Sequence, residues 1–293
     1  MLLTSRAEYQ HEGSITAAFG GLYMERTLER IDRRQADSLA AMVTSIRSGE
    51  PLAPVVEGFL AEGMSAEEAA SLERAAHELV RVDNLFGSYV GPQLAARLHE
   101  EPEFGELGGR EADVTALFAD LVGFTAFSEG KSASDVIEML NRYWEGVVPV
   151  VVEAEGGVIE RFAGDAVMAV FNALDDQPDH ALRGARAALA MQAFTQVTAT
   201  EHPDWPRFRI GVNTGTAVIG TVGATDQRSF AAIGDTTNVA ARVQALARPG
   251  QVLLADATYQ RMRDRVRVEP LGPTTLKGRT ETIDVYELLG VVS

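Results

Sequence analysis

The sequence predicts an α+β protein, with helices on one side of a mostly antiparallel sheet and an all-helical region in front of it. Three observations carry this reading. From Asp113 onward, strand-like and helix-like segments alternate. Residues 163–166, AGDA, set a Gly-Asp pair between two apolar runs, the mark of a tight hairpin. The first hundred residues, by contrast, carry only helical spacing.

The helical region starts with residues 20–49, whose periodic stretch stops at Gly49. A second unit follows Pro51 and Pro54. A third begins at Ser65, which precedes Glu68 by three positions and so forms a capping box. Within it Leu72, Ala75, Leu79, Val82, Phe86 and Tyr89 recur at steps of three and four. That spacing suits a coiled-coil seam, and equally an amphipathic helix packed on its own neighbours. Gly91-Pro92 ends the helix, and Pro92 is suited to open the next. Residues 102–113, rich in Gly, Pro and Glu, read as a linker.

Beyond the linker, VTALFAD (114–120) reads as a strand and a long helix starts near Ser134. GVIERFAG and DAVMAVFN (157–172) form the hairpin, and residues 179–197 a second helix. FRIGVNTGTAVIGTVG (208–223) is expected to give two strands around Thr214-Gly215, with a further strand over 228–234. TTNVAARVQALARPG is a helix stopped by Pro249-Gly250. QVLLA, a short helix from Asp256 and a closing hairpin complete the chain.

Composition removes several function classes. The 26 basic and 42 acidic side chains leave a net charge of −16, against non-specific binding to nucleic acid or to anionic membrane. Without cysteine there are no disulfides and no thiolate metal sites. The start, LLTSRAEYQHEG, is charged too soon for a signal-peptide core, and no apolar run approaches the ~20 residues of a membrane span. A soluble cytoplasmic protein is expected. No P-loop motif is present. Only Lys131 and Lys277 are lysines, in a chain that otherwise uses arginine.

Two carboxylates are the candidate chemistry. Asp165 lies at the tip of the hairpin, and Asp120 at the end of the strand Val114–Ala119, followed by LVGFT. Adjacent strands would bring both to one point, where hard oxygen ligands suit Mg²⁺ or Mn²⁺. The backbone N–H groups of Val122 to Thr125 could then face phosphate oxygens.

Five stretches carry a resemblance: VTALFADLVGFTAFSE, GGVIERFAGDAVMAVFN, RIGVNTGTAVIGTVG, AAIGDTTNVAARVQALARPGQVLLA and PLGPTTLKGRTETIDVYEL. In this order, from about Ala112 to Leu289, they resemble the class III nucleotidyl cyclase catalytic domain. The resemblance implies a ferredoxin-like, palm-type α/β sandwich acting on a nucleoside triphosphate. It implies that Asp120, Leu121 and Asp165 hold two divalent cations per site. Phe124, Thr125 and Lys277 would meet the substrate, Lys277 at the triphosphate tail. Asn238 would orient the ribose and Arg242 would stabilise charge on the α-phosphate, both from one helix face.

Each site in that family is shared between two chains, so a homodimer is implied. The divisions expected are a helical and regulatory region over 1–70, a dimerising helix with linker over 71–111, and a catalytic domain over 112–293.

The base-reading positions depart from the family. Arg161 stands where a lysine is usual for adenylyl cyclases, and Ala231 where an aspartate or threonine is usual. Arg161 can donate, but Ala231 has no side-chain acceptor. Glu160, by strand alternation, should face away from Arg161. ATP is the favoured substrate. A cyclase for GTP or UTP and a catalytically silent nucleotide-binding regulator are the alternatives.

Overall fold

The structure, a computed structural model, describes residues 32–278 and 281–292. The start of the first helix expected from the sequence, over residues 20–31, lies outside these. The chain forms two compact units, one ending at Glu106 and one starting at Leu107. Among the described residues no helix is long and apolar enough to cross a membrane.

The first unit is built from α1 (Arg33–Ser48), α2 (Ala53–Ala61), α3 (Ala66–Val90) and α4 (Pro92–Glu100). Asp32 and Gln35 cap α1 reciprocally, and Gly49 closes it at φ 72°, a left-handed conformation that glycine adopts at low cost. Ser65 and Glu68 form the expected capping box on α3. Leu39, Met42 and Val43 of α1 share one core with Leu72, Ala76 and Leu79 of α3.

The heptad-like seam therefore divides. Its first half is an intramolecular core. Val82 (42% exposed), Phe86 and Tyr89 (85% exposed) continue it as an open apolar stripe.

The second unit holds β1 (Gly108–Val122), α5 (Phe124–Glu129), α6 (Ala133–Val148), β2 (Val158–Ala163), β3 (Ala166–Phe171) and α7 (His180–Glu201). After these come β4 (Arg207–Ala224), β5 (Gln227–Ile233), α8 (Asp235–Leu246), β6 (Val252–Ala255), α9 (Asp256–Met262), β7 (Val266–Thr275) and β8 (Thr282–Val291). The sheet order is β2-β3-β1-β4-β6-β8-β7, with β5 paired to β4. All neighbours run antiparallel except β4 and β6.

Four sequence expectations are corrected. The stretch 102–113 is no simple linker, because β1 begins at Gly108 and its first residues pair with β4 near Thr221. β4 is one continuous strand rather than two. Gly215 does not turn the chain; it stays in the ladder opposite Val114, and a Cβ there would come 2.9 Å from Thr236 Oγ1, so the glycine marks the close approach of α8. The long helix starts at Ala133, as expected near Ser134, with a capping box of Ser132 and Asp135, but it does not run on unbroken: at Pro149 it loosens into a wider turn, Pro149–Ala154.

Helices also cover both faces of the sheet. Leu117, Ala119 and Leu121 of β1, with Ile210 and Val212 of β4, pack under α6, α7 and α9. Leu253 and Ala255 of β6 point the other way and pack under Val239, Val243 and Ala247 of α8. Strict alternation along the central strands makes both faces apolar, so each needs a cover.

Gly211 is where α8 meets the sheet: a Cβ there would overlap the backbone of Gln244 and Ala240. Backbone cannot yield as a side chain can. Gly211→Val is expected to lower unfolding free energy by roughly 1–3 kcal/mol or more, read from denaturant midpoints, and to displace α8.

Candidate active site

β1 is central, and its register sets the site. Asp120 stands opposite Ala166 of β3 on one side and Arg209 of β4 on the other, two residues before the strand ends. Leu117, Ala119 and Leu121 face the α6–α7 core, so Asp120 faces the α8 side of the sheet. Asp165 belongs to the two-residue loop Gly164-Asp165, since Ala163 pairs with Ala166 and Gly164 takes φ 65°. The hairpin thus delivers Asp165 beside the β1 residue opposite Ala166, which is Asp120.

The two carboxylates interact. Burial raises the pKa of Asp165, and the charge and hydrogen bonding of Asp120 raise it further; a hydrogen bond from its own backbone and the charge of Arg209 work the other way. Arg209 donates from Nε and Nη2 to Asp120 Oδ2 at 2.8 and 2.6 Å. Gln244 of α8 donates to the same oxygen at 3.3 Å.

Two adjoining carboxylates, desolvated and only partly compensated, are the donor set that a hard divalent cation fits. Among the described residues no group of three or more His, Cys, Asp or Glu could hold a metal. The remaining ligands would have to be backbone oxygens, water or substrate phosphate.

This geometry has a stability consequence. A carboxylate whose pKa is raised on folding destabilises the folded state as pH climbs from its unfolded pKa through the raised one, and the penalty is complete above that. Asp165→Asn is therefore expected to raise Tm at neutral pH in the presence of chelator, and Mn²⁺ is expected to raise the Tm of the wild type but not of the variant. Thermal unfolding with and without Mn²⁺ checks both.

Leu121 is buried in the α6–α7 core, leaving only its backbone for any ligand role. Gly123, at φ 84°, then turns the chain into α5. Phe124 packs against the core while Thr125 is exposed, and the amides of both open the short helix just after the strand carrying Asp120.

α8 carries Asn238, exposed, and Arg242, half-buried, one turn apart. A Cβ on Gly278 would sit 3.9 Å from Arg242 Nη2, so Arg242 reaches toward the turn that presents exposed Lys277. Gln244, which touches Asp120, lies about 200° around the helix from Arg242 at 100° per residue. Asn238 and Arg242 thus leave one flank of α8 and the carboxylate pair lies on the other. A groove of about 630 Å³ lined by Ile137, Asn141, Arg142, Glu145, His202 and Trp205 contains none of these residues. Lys131 pairs with Asp204 at 2.8 Å, as a surface residue would.

The base-reading positions converge. Ala231 is buried on β5, and Arg161 is exposed on β2. The link between the strands is Glu160: its Oε2 accepts the Ala232 N–H at 3.0 Å, and its Oε1 lies 3.2 Å from Arg161 Nη1. This corrects the expectation that Glu160 faces away from Arg161. The ladder slips between Ile159 and Arg161, and a bulge there breaks the alternation on which that expectation rested.

Arg209 and Gln244 are polar residues of the site that the sequence reading missed, and Glu160 is one that it placed on the wrong face. Arg209 had a signal in hindsight, as a charged residue in the apolar strand FRIGV, but its partner is fixed only by the β1–β4 register.

Comparison with known proteins gives the family. Residues 109–290 match the family described as the adenylate and guanylate cyclase catalytic domain, and the chain belongs to that family. It is 38% identical over 214 residues to Adenylate cyclase 1 of Rhizobium meliloti (strain 1021), covering 71% of this chain and 32% of that protein. The chain thus spans about a third of that relative's length. Among solved structures, the adenylyl cyclase CyaB from P. aeruginosa is similar with a TM-score of 0.58 and 25% identity, covering 63% of this chain and 97% of that one. The guanylate cyclase domain of RhGC from Catenaria anguillulae, in complex with GTP, is similar with a TM-score of 0.58 and 27% identity, covering 62% and 99%.

Proposed function

We propose that the chain is a nucleotidyl cyclase that converts ATP to 3′,5′-cyclic AMP and pyrophosphate at two sites shared between the copies of a homodimer. The observation that carries the reading is the adjoining pair Asp120 and Asp165, held by the β1–β3 register with Arg209 beside them.

In this reading Asp120 and Asp165, with the Leu121 backbone, hold two Mg²⁺ or Mn²⁺ ions. When bound, such ions lower the pKa of the ribose 3′-hydroxyl and neutralise charge on the α-phosphate. The hydroxyl oxygen bonds to the α-phosphorus as the bond to pyrophosphate breaks, and the hydroxyl proton leaves to water. Asn238 of the other copy orients the ribose. Arg242 of that copy places its guanidinium on the non-bridging oxygens, where charge builds in the transition state. Arg209, already beside the carboxylates, and Lys277 bind the triphosphate tail. The Phe124 and Thr125 amides donate to phosphate oxygens.

Two copies are needed because Arg242 and Asp120 lie on opposite flanks of α8. The open stripe of Val82, Phe86 and Tyr89 on α3 supports a parallel pairing of that helix, with the helical region acting as a regulator.

ATP is favoured because Arg161 can donate to adenine N1 and because of the likeness to Adenylate cyclase 1; a uracil carbonyl could also accept from Arg161, so UTP, like GTP, stays an alternative. Incubating the purified chain with each of the four ribonucleoside triphosphates and Mn²⁺, and separating the products, tests activity and base choice together. Cyclic AMP with pyrophosphate is expected; no cyclic product from any of the four would overturn the reading.

A further inference from the structure

Burying an unpaired polar edge of a base is unfavourable, so an acceptor missing at Ala231 ought to be supplied nearby. The gap between β2 and β5 holds one. Glu160 is carried on the bulge between Ile159 and Arg161, and its side chain is only 2% exposed. Its Oε2 is committed to the Ala232 N–H, on the open edge of β5 next to Ala231. Its Oε1 lies beside the Arg161 guanidinium, which is itself 60% exposed and so open to a ligand.

We propose that Glu160 is the specificity-determining acceptor of this site: its Oε1 accepts from the 6-amino group of adenine while Arg161 donates to N1. The inference rests on the cyclase reading and adds to it a residue outside the expected base-reading positions.

Three physical points support it. First, a donor and an acceptor 3.2 Å apart match the acceptor–donor order of the N1 and 6-amino edge. Second, guanine is served only in part. Arg161 can donate to its O6 and Oε1 can accept its N1–H, but the 2-amino group then asks for another acceptor, and Oε2 is already tied to the strand edge. Third, a carboxylate this buried is poorly solvated, since burial raises its pKa against the opposing effects of the Ala232 N–H and Arg161. A further N–H donor at Oε1 would relieve that penalty.

The test compares ATP with purine riboside 5′-triphosphate, which lacks only the 6-amino group. The wild type is expected to favour ATP about 10- to 100-fold in kcat/KM, the scale of one buried hydrogen bond to a charged acceptor. E160Q keeps the side-chain volume and one oxygen for the Ala232 N–H, but turns an NH₂ toward the base. The preference should then fall to about one or below, with the loss concentrated on ATP.

A wild-type ratio near one overturns the proposal without any variant. So does an E160Q protein that keeps the wild-type ratio, or one that loses both substrates in parallel, which marks Glu160 as merely structural. A wild type that cyclises neither triphosphate overturns the cyclase reading and this inference with it. An active wild type whose preference survives E160Q sinks the inference alone.

Discussion

Asp165→Ala should be almost inactive by itself, Arg242→Ala severely impaired, and a mixture of the two should recover activity that neither has alone. Asp165 holds one end of the carboxylate pair, in the hairpin loop beside the β1 position of Asp120. Removing it leaves one carboxylate where a bound cation needs two. The loss expected is the several kcal/mol of transition-state charge stabilisation that a catalytic metal supplies, or about 10³-fold or more in rate.

Recovery on mixing follows from the two flanks of α8. In a heterodimer, one site combines both lesions, while the other draws intact carboxylates from the Arg242→Ala chain and an intact Arg242 from the Asp165→Ala chain. In an equal mixture with free exchange half the dimers are heterodimers, each with one working site of two, so about a quarter of wild-type activity is expected. Specific activity against mixing ratio, with heterodimers verified by two affinity tags, is the measurement. Verified heterodimers without recovery would show that the site is not shared.

Arg242→Ala is expected to lower kcat by about 10²–10³, the effect of losing one donor aimed at developing charge, with little change in nucleotide affinity. Its position explains the asymmetry. Arg242 is half-buried on α8 and reaches toward the Lys277-Gly278 turn, so in the proposed dimer it would meet the nucleotide from the side opposite the cations. Ground-state binding through the triphosphate would remain with Arg209 and Lys277. Arg242→Lys should recover little, because an ammonium cannot present the planar fork that spans two phosphate oxygens. Single-turnover rates and equilibrium binding of a non-cyclisable analogue separate the two quantities. A rise in Kd equal to the fall in rate would assign Arg242 to binding instead.

Wherever local chemistry is sufficient, the sequence reading and the structure agree. The Gly164-Asp165 hairpin follows from a glycine placed where the loop needs positive φ. The capping box at Ser65 follows from side chains reaching amides three residues away, and that at Ser132 works the same way but was overlooked. Asp120 and Asp165 stood out because each sits beside a small residue or a glycine at the edge of an apolar run.

The failures have one cause. Gly215 looked like a turn because a glycine in a strand marks either a turn or a close neighbour, and the neighbour, Thr236, is 21 residues away. Glu160 was assigned to the wrong side because alternation holds only while the ladder is regular. The seam of α3 could not be divided from within, since Leu72 and Val82 have the same chemistry and differ only in whether α1 lies over them.

The chain alone therefore put forward which residues are candidates for chemistry and which local turns present them, because caps, hairpins and periodicity act over a few residues. Folding in three dimensions decided which of those residues meet. The β1–β4 register sets Arg209 against Asp120 across 89 positions of sequence, a bulge turns Glu160 toward Ala232, and the seat of α8 on Gly211 sends Arg242 and Gln244 to opposite sides. Strand pairing and helix packing are set by the sum of many distant contacts, and no short stretch of sequence contains that sum.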